Sequence, residues 1–224
     1  MQKLYFGLSF AFNLVSLALP AQAQRPSVTV GVNGGTLGAG GDVALGLNKM
    51  IAVRAGGHFA SVKPSLDVEG ITYNGALKWK NGQFLLDLHP MGNALRLSTG
   101  LFLNGNKINI AVDPASSVTL GGQTYAAAEI GTLSGAVTFQ TAAPYFGLGF
   151  GSSGKIGFGV DLGVVLQGKP RVAYTGTTTL TGAAQQQFNQ NVAAEMAQIQ
   201  AKVDDFSLVR YYPVLSAGLM VKLF

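Results

Sequence analysis

One stretch restricts the folding options of this chain more than any other. Ile156, Phe158, Val160, Leu162, Val164 and Leu166 alternate with Gly157, Gly159, Asp161, Gly163 and Val165. A period of two sends alternate side chains to opposite faces of a strand, so one face is wholly apolar and the other nearly bare. A helix would scatter the same residues around its circumference. The pattern recurs: Val43, Leu45 and Leu47 alternate with Asp42, Ala44 and Gly46, and Leu215, Ala217, Leu219, Val221 and Leu223 with Ser216, Gly218 and Lys222. Strands of roughly ten residues, apolar at every second position and separated by turns, are how a membrane β-barrel is written.

Composition agrees. Hydrophobic residues make up 48% and charged residues 11%, against about a quarter charged in a soluble domain. The apolar residues are nevertheless not gathered into a membrane helix. Near the start, Lys3, the apolar run Leu4 to Leu19 and Pro20-Ala21-Gln22-Ala23 read as a secretory signal over residues 1–23, leaving 24–224 as the barrel. That run contains Asn13 and Ser16 and falls short of the ~20 apolar residues a spanning helix needs. There is no cysteine, so stability in an oxidising compartment cannot come from disulfides. The formal charge is +5, but the cations stand singly, which excludes a nucleic-acid footprint.

Eight strands are expected, over Pro26–Asn33, Thr36–Leu47, Met50–Ser61, Val68–Leu88, Ala94–Val112, Ser134–Phe150, Lys155–Tyr174 and Leu208–Phe224. Tight turns at Asn48-Lys49, His89 to Asn93 and Gly151 to Gly154 would close the periplasmic side. In the fourth strand the apolar phase slips between Trp79 and Phe84, and in the fifth around Asn104-Gly105. Neighbouring bulges account for both, while a hairpin at Asn81-Gly82 would raise the count to ten. The outer connections are longer. Within the last, about 183–204, helix-forming residues carry Val192, Met196, Ile199 and Val203 near a 3.6 spacing, predicting a surface helix that caps the rim or docks a partner.

The Gly-rich hairpin Leu37 to Phe59 with Arg54-Ala55-Gly56-Gly57, the girdle Tyr211-Tyr212-Pro213 and the strand ending at Phe224 resemble small proteobacterial outer-membrane barrels of the OmpA-like, eight-stranded kind. That resemblance implies an all-β, antiparallel up-and-down transmembrane barrel in the outer membrane of a Gram-negative bacterium. Its partners would be outer-membrane lipid and, through the last strand, the barrel assembly machinery. Phe224 departs from the family by falling one residue out of step with the apolar face.

Motifs for chemistry are weak. Gly149 to Ile156 matches most of a phosphate-binding loop, but Ile156 stands where a Ser or Thr is needed, and a strand follows where a helix is required. His58 and His89 are the only histidines; pairing His58 with Ser61, or His89 with a carboxylate, would be the start of a lipid-modifying enzyme, yet no triad is legible. No catalytic residue, metal site or cofactor is assigned.

The informative set faces inward. Asp42, Arg54, His58, Lys78, Asp87, Arg96 and Asp161 fall opposite the apolar phase, as they must if that phase meets lipid. Asp87 is expected across a turn from Arg96, and Asp42 near Arg54. Paired charges would plug a bore that is only wide enough for side chains or one small ligand. Trp79, Tyr211, Tyr212 and Phe224 are expected as membrane-interface aromatics. The expectation is a non-enzymatic barrel with a structural or surface-interaction role. The alternative is a pocket for a lipid or small apolar ligand, with room left by Gly38, Gly40, Gly46, Gly100, Gly157 and Gly159.

Overall fold

The computed structural model describes residues 26–68, 71–92, 94–114, 116–152, 154–205 and 207–224, so the expected signal segment 1–23 lies outside the described residues. Its strands are β1 (Ser27–Gly35), β2 (Gly38–Gly46), β3 (Ile51–Val62), β4 (Ser65–Val68), β5 (Ile71–Leu88), β6 (Leu95–Asn104), β7 (Lys107–Asp113), β8 (Val118–Leu120), β9 (Gln123–Tyr125), β10 (Ile130–Thr138), β11 (Ala142–Gly151), β12 (Ile156–Leu166), β13 (Arg171–Thr178) and β14 (Tyr211–Lys222). The α-helix is α1 (Gly182–Asp205).

Eight of these strands close on themselves, each antiparallel to the next, in the order β1, β2, β3, β5, β6, β11, β12, β14 and back to β1. Closure leaves no free edge within the wall. A two-residue turn, Thr36-Leu37, joins β1 to β2 at one end, and the three turns expected from the sequence fall at the opposite end, together with both ends of the described chain. In the first of them Asn48 Oδ1 accepts from the amides of Met50 and Ile51 at 2.8 and 2.9 Å, doing for the turn what a ladder bond does for a strand. Outer-membrane barrels keep their short turns on the periplasmic side.

At the other end the sheet outgrows the barrel. β7, β10 and β13 continue beyond β6, β11 and β12, and pair in that order alongside the upper half of β5. This extension has its own core, in which Phe188 and Val192 of α1 meet Leu120, Tyr125, Ile130 and Leu133. The helix stripe therefore begins one turn earlier than the sequence suggested, at Phe188. It caps the extension rather than the barrel rim.

No bulge or hairpin interrupts β5. Its register with β3 is unbroken from Ile51↔Leu88 to Val62↔Leu77, and with β6 and β7 from Leu88↔Leu97 through Asn81↔Asn104 to Lys78↔Lys107. The apolar residues change sides because the medium does. Where the wall faces lipid, Phe84, Leu86 and Leu88 point out. Higher up, the outer face meets water and carries Lys78 and Lys80, both exposed, while Leu77 and Trp79 take the inner phase. β6 and β7 repeat the exchange, with Leu101 and Leu103 outward and Ile108 on the opposite face.

Candidate functional site in the lumen

The interior is stacked in layers along the barrel axis. Nearest the tight turns is a cavity of about 290 Å³, lined by charged and polar side chains including Asp42, Lys49, Arg54, Arg96, Asp161 and Lys222. An isolated charge there would be costly, so pairing decides the layer above it.

Four charges form one connected group. Arg54 on β3 donates from Nε to Asp87 Oδ2 at 2.8 Å and from Nη2 to Asp87 Oδ1 at 3.1 Å, a bidentate pair. Ser98 Oγ donates to the same Asp87 from the facing position of β6, at 2.5 Å. Arg54 Nη1 also reaches Asp161 Oδ2 at 3.3 Å, and Arg96 Nη2 donates to both Asp161 oxygens at 2.8 Å. In the ring of eight strands β3 and β12 are four places apart in either direction. The Arg54–Asp161 contact therefore crosses the whole bore.

These partners differ from the ones expected across the hairpins. Asp87 faces Ser98, and Arg96 faces Gly149, which in turn faces Asp161. Because Gly149 has no side chain, the Arg96 guanidinium lies over β11 and takes the carboxylate on the next strand. A Cβ at Gly149 would stand 2.3 Å from Arg96 Nε. Asp42 is diagonal to Arg54, whose facing residue is Ala44, and among the described residues it makes no ion pair. It accepts instead from Asn33 Nδ2 at 2.7 Å, and Asn33 Oδ1 lies 2.7 Å from His58 Nε2. Since the Asn33 amide is committed as donor to Asp42, its oxygen takes a proton from His58, leaving Nδ1 as the acceptor nitrogen. That buried nitrogen has no partner.

Above the charges lies an apolar layer that phase alone did not reveal. Leu37, Leu85, Phe102, Ala143, Tyr145, Val165 and Val214 form one buried cluster, with the Phe102 and Tyr145 rings 5.0 Å apart. The signal was present as apolar residues out of step with the lipid face, Leu85 between Phe84 and Leu86 being one. Glycines again make the room: a Cβ at Gly147 or Gly163 would collide with the Tyr145 hydroxyl. Side-chain amides finish the stack, Asn104 Nδ2 donating to Gln167 Oε1 at 3.2 Å and Asn81 Nδ2 to Asn106 Oδ1 at 2.9 Å.

Several expected positions change. Lys78 leaves the lumen set, because the unbroken register of β5 places it outward. Trp79 and Tyr212 are on the inner phase rather than at the lipid interface; Trp79 hydrogen-bonds the Tyr212 hydroxyl, which itself donates to the Thr36 carbonyl. Tyr211 and Phe224 are exposed, at 54% and 71%. His58 and Ser61 differ by an odd number of residues on β3 and point to opposite faces, so no base–nucleophile pair forms there. His89 sits in a tight turn, where burial holds its imidazole below the ordinary pKa, and the nearby Asp87 is already engaged by Arg54 and Ser98. The glycines expected to leave open space are partly occupied, Gly40 by the His58 ring and Gly159 by the Met220 methyl.

An antiparallel barrel of eight strands with an apolar outer belt and inward charges is a transmembrane barrel of the outer-membrane type. Two solved structures from one organism share this fold. The crystal structure of CarO2 from Acinetobacter baumannii superposes with a TM-score of 0.58 at 19% identity, covering 89% of this chain and 100% of that one. CarO from the same organism gives 0.56 at 20%, covering 87% and 97%. A major outer membrane protein from Thermus thermophilus gives 0.45 at 13%, covering 89% and 100%. No family model and no curated protein matches the chain.

Proposed function

We propose that this chain is an exported, non-enzymatic barrel of a Gram-negative outer membrane, with a closed lumen and a structural or surface-interaction role exercised through its outer extension. The observation behind this reading is the Arg54–Asp161 contact between opposite walls, backed by the apolar layer immediately above it. Export would use the segment 1–23, and insertion would use β14 as the strand offered to the barrel assembly machinery. Balanced charges serve this purpose better than apolar filling alone, because each carboxylate fixes the rotamer of a long arginine side chain and so holds the bore shut in one arrangement.

Planar-bilayer recording tests the closed lumen. The purified protein is expected to leave the bilayer silent, and a steady, reproducible conductance would remove the reading.

A second reading has one observation in its favour, the 290 Å³ cavity at the tight-turn end. Its lining mixes charged side chains with Ala44, Ala52 and Met220, which suits a small solute carrying both polar and apolar groups. Native mass spectrometry after gentle delipidation would show a retained mass under this reading and none under the first.

A further inference from the structure

The outer face of the wall changes abruptly above the lipid belt. On β5 the outward positions run Leu88, Leu86, Phe84 and Gly82, and the next two are Lys80 and Lys78. Lys78 is directly opposite Lys107 of β7, Lys107 is opposite Thr138 of β10, and Thr138 is opposite Arg171 of β13. Registered partners share a face, so these side chains form a cationic row along one level of the sheet. All three cations of that row are exposed, as is Lys80 one step below. Among the described residues none of the four takes part in an ion pair.

Lysine facing lysine across a ladder is destabilising, whereas a carboxylate opposite each lysine would be favourable. Here Asp42, Asp87 and Asp161 are instead turned into the bore. Among the described residues no carboxylate pairs with this row, which leaves it open to an anion from outside the chain. What lies beside the row says from where. Lys80 is opposite Phe59, which is 70% exposed on the lipid belt, and it stands one outward step above Gly82, whose partner Leu103 is also on that belt. One such step is ~6–7 Å along a strand and less along the membrane normal. An acyl chain resting on Phe59, Phe84 and Leu103 would therefore put its headgroup level with Lys80, Lys78 and Lys107, and lysine stems can extend toward it over apolar surface.

We propose that this row is a docking site for the phosphorylated headgroup of an outer-leaflet glycolipid, with Lys78, Lys80, Lys107 and Arg171 as its phosphate ligands. The site rests on the orientation that puts the extension at the outer face, but not on whether the lumen is closed. A soluble phosphate has no chains to hold on the belt and would bind far more weakly.

Native mass spectrometry of the detergent-folded full-length mature chain tests this, with diphosphorylated lipid A as probe. The wild-type protein is expected to retain it about 800-fold better than the same lipid stripped of phosphate, given the typical strength of four cations at an anionic surface. The double variant K78A/K107A, which keeps two of the four, is expected to lose about 30-fold, with the heat-dependent gel mobility of the barrel unchanged. Equal retention of phosphorylated and dephosphorylated lipid by wild type would overturn the proposal without reference to any variant. So would equal retention by wild type and K78A/K107A, or displacement of the lipid by millimolar inorganic phosphate, which would point to a soluble anion. Loss of heat-dependent mobility in wild type would instead dispose of the barrel itself, so the two failures are distinguishable.

Discussion

Replacing Gly149 by alanine would place a methyl group in the path of the Arg96 side chain, 2.3 Å from Nε and 2.7 Å from Cγ. The guanidinium must then rise off β11 and give up part of its hold on Asp161. G149A is expected to destabilise the barrel by about 1–3 kcal/mol, the usual cost of overpacking. D161N is expected to cost more, about 3–5 kcal/mol, because two buried guanidiniums lose one carboxylate between them. S98A should be the mildest at about 1 kcal/mol, since Asp87 keeps its bidentate arginine. Urea unfolding in lipid vesicles, followed by the gel mobility of unboiled samples, checks the order; a D161N barrel as stable as wild type would show that the charges are independently hydrated.

At the scale of elements, α1 is held through one side chain more than through its average amphipathicity. Phe188 is fully buried, stacks edge-on to Tyr125 at 5.2 Å, and lies over Gly176 of β13, where a Cβ would come within 3.0 Å of the ring. Polar contacts fix the helix lengthwise: Asn191 Nδ2 donates to the Tyr125 hydroxyl at 2.8 Å, and Gln200 Oε1 accepts from the Val172 amide at 2.8 Å. The second of these also covers part of the edge of β13, a strand that would otherwise offer its amides to another chain. F188A is expected to remove about 3–5 kcal/mol from the extension alone. Amides of β10 and β13 should exchange faster in hydrogen-exchange measurements while those of β2 and β12 keep their protection. Uniform loss of protection would mean that barrel and extension unfold as one unit.

For the whole molecule, the stacking of layers makes closure redundant. Removing the ion pairs with R54A/D161A leaves Leu85, Phe102, Tyr145 and Val214 filling the bore above them, so planar bilayers should stay silent. Adding F102A and Y145A to that variant removes both barriers, and conductance is expected only then. Conductance from R54A/D161A alone would place the whole barrier in the charges. The arrangement matches what an eight-stranded barrel can hold, an interior just wide enough to be filled by its own side chains.

The period-two alternation determined the sheet, and the low charge content turned its apolar face toward lipid instead of a second sheet; closure follows because unpaired strand edges are intolerable in hydrocarbon. The tight turns at Asn48, His89 and Gly151 and the helix in the last outer connection were legible for the same local reasons. Only the tertiary structure decided which charges meet. Arg54 and Asp161 are neighbours because a ring of strands brings opposite walls together, and Arg96 reaches past Gly149 because a side chain is absent there, and neither fact is local in the chain. The same holds for Lys78 and Trp79. Their phase is read correctly only once it is known where along β5 the surroundings change from lipid to water, and that level is set by neighbouring strands rather than by the residues themselves.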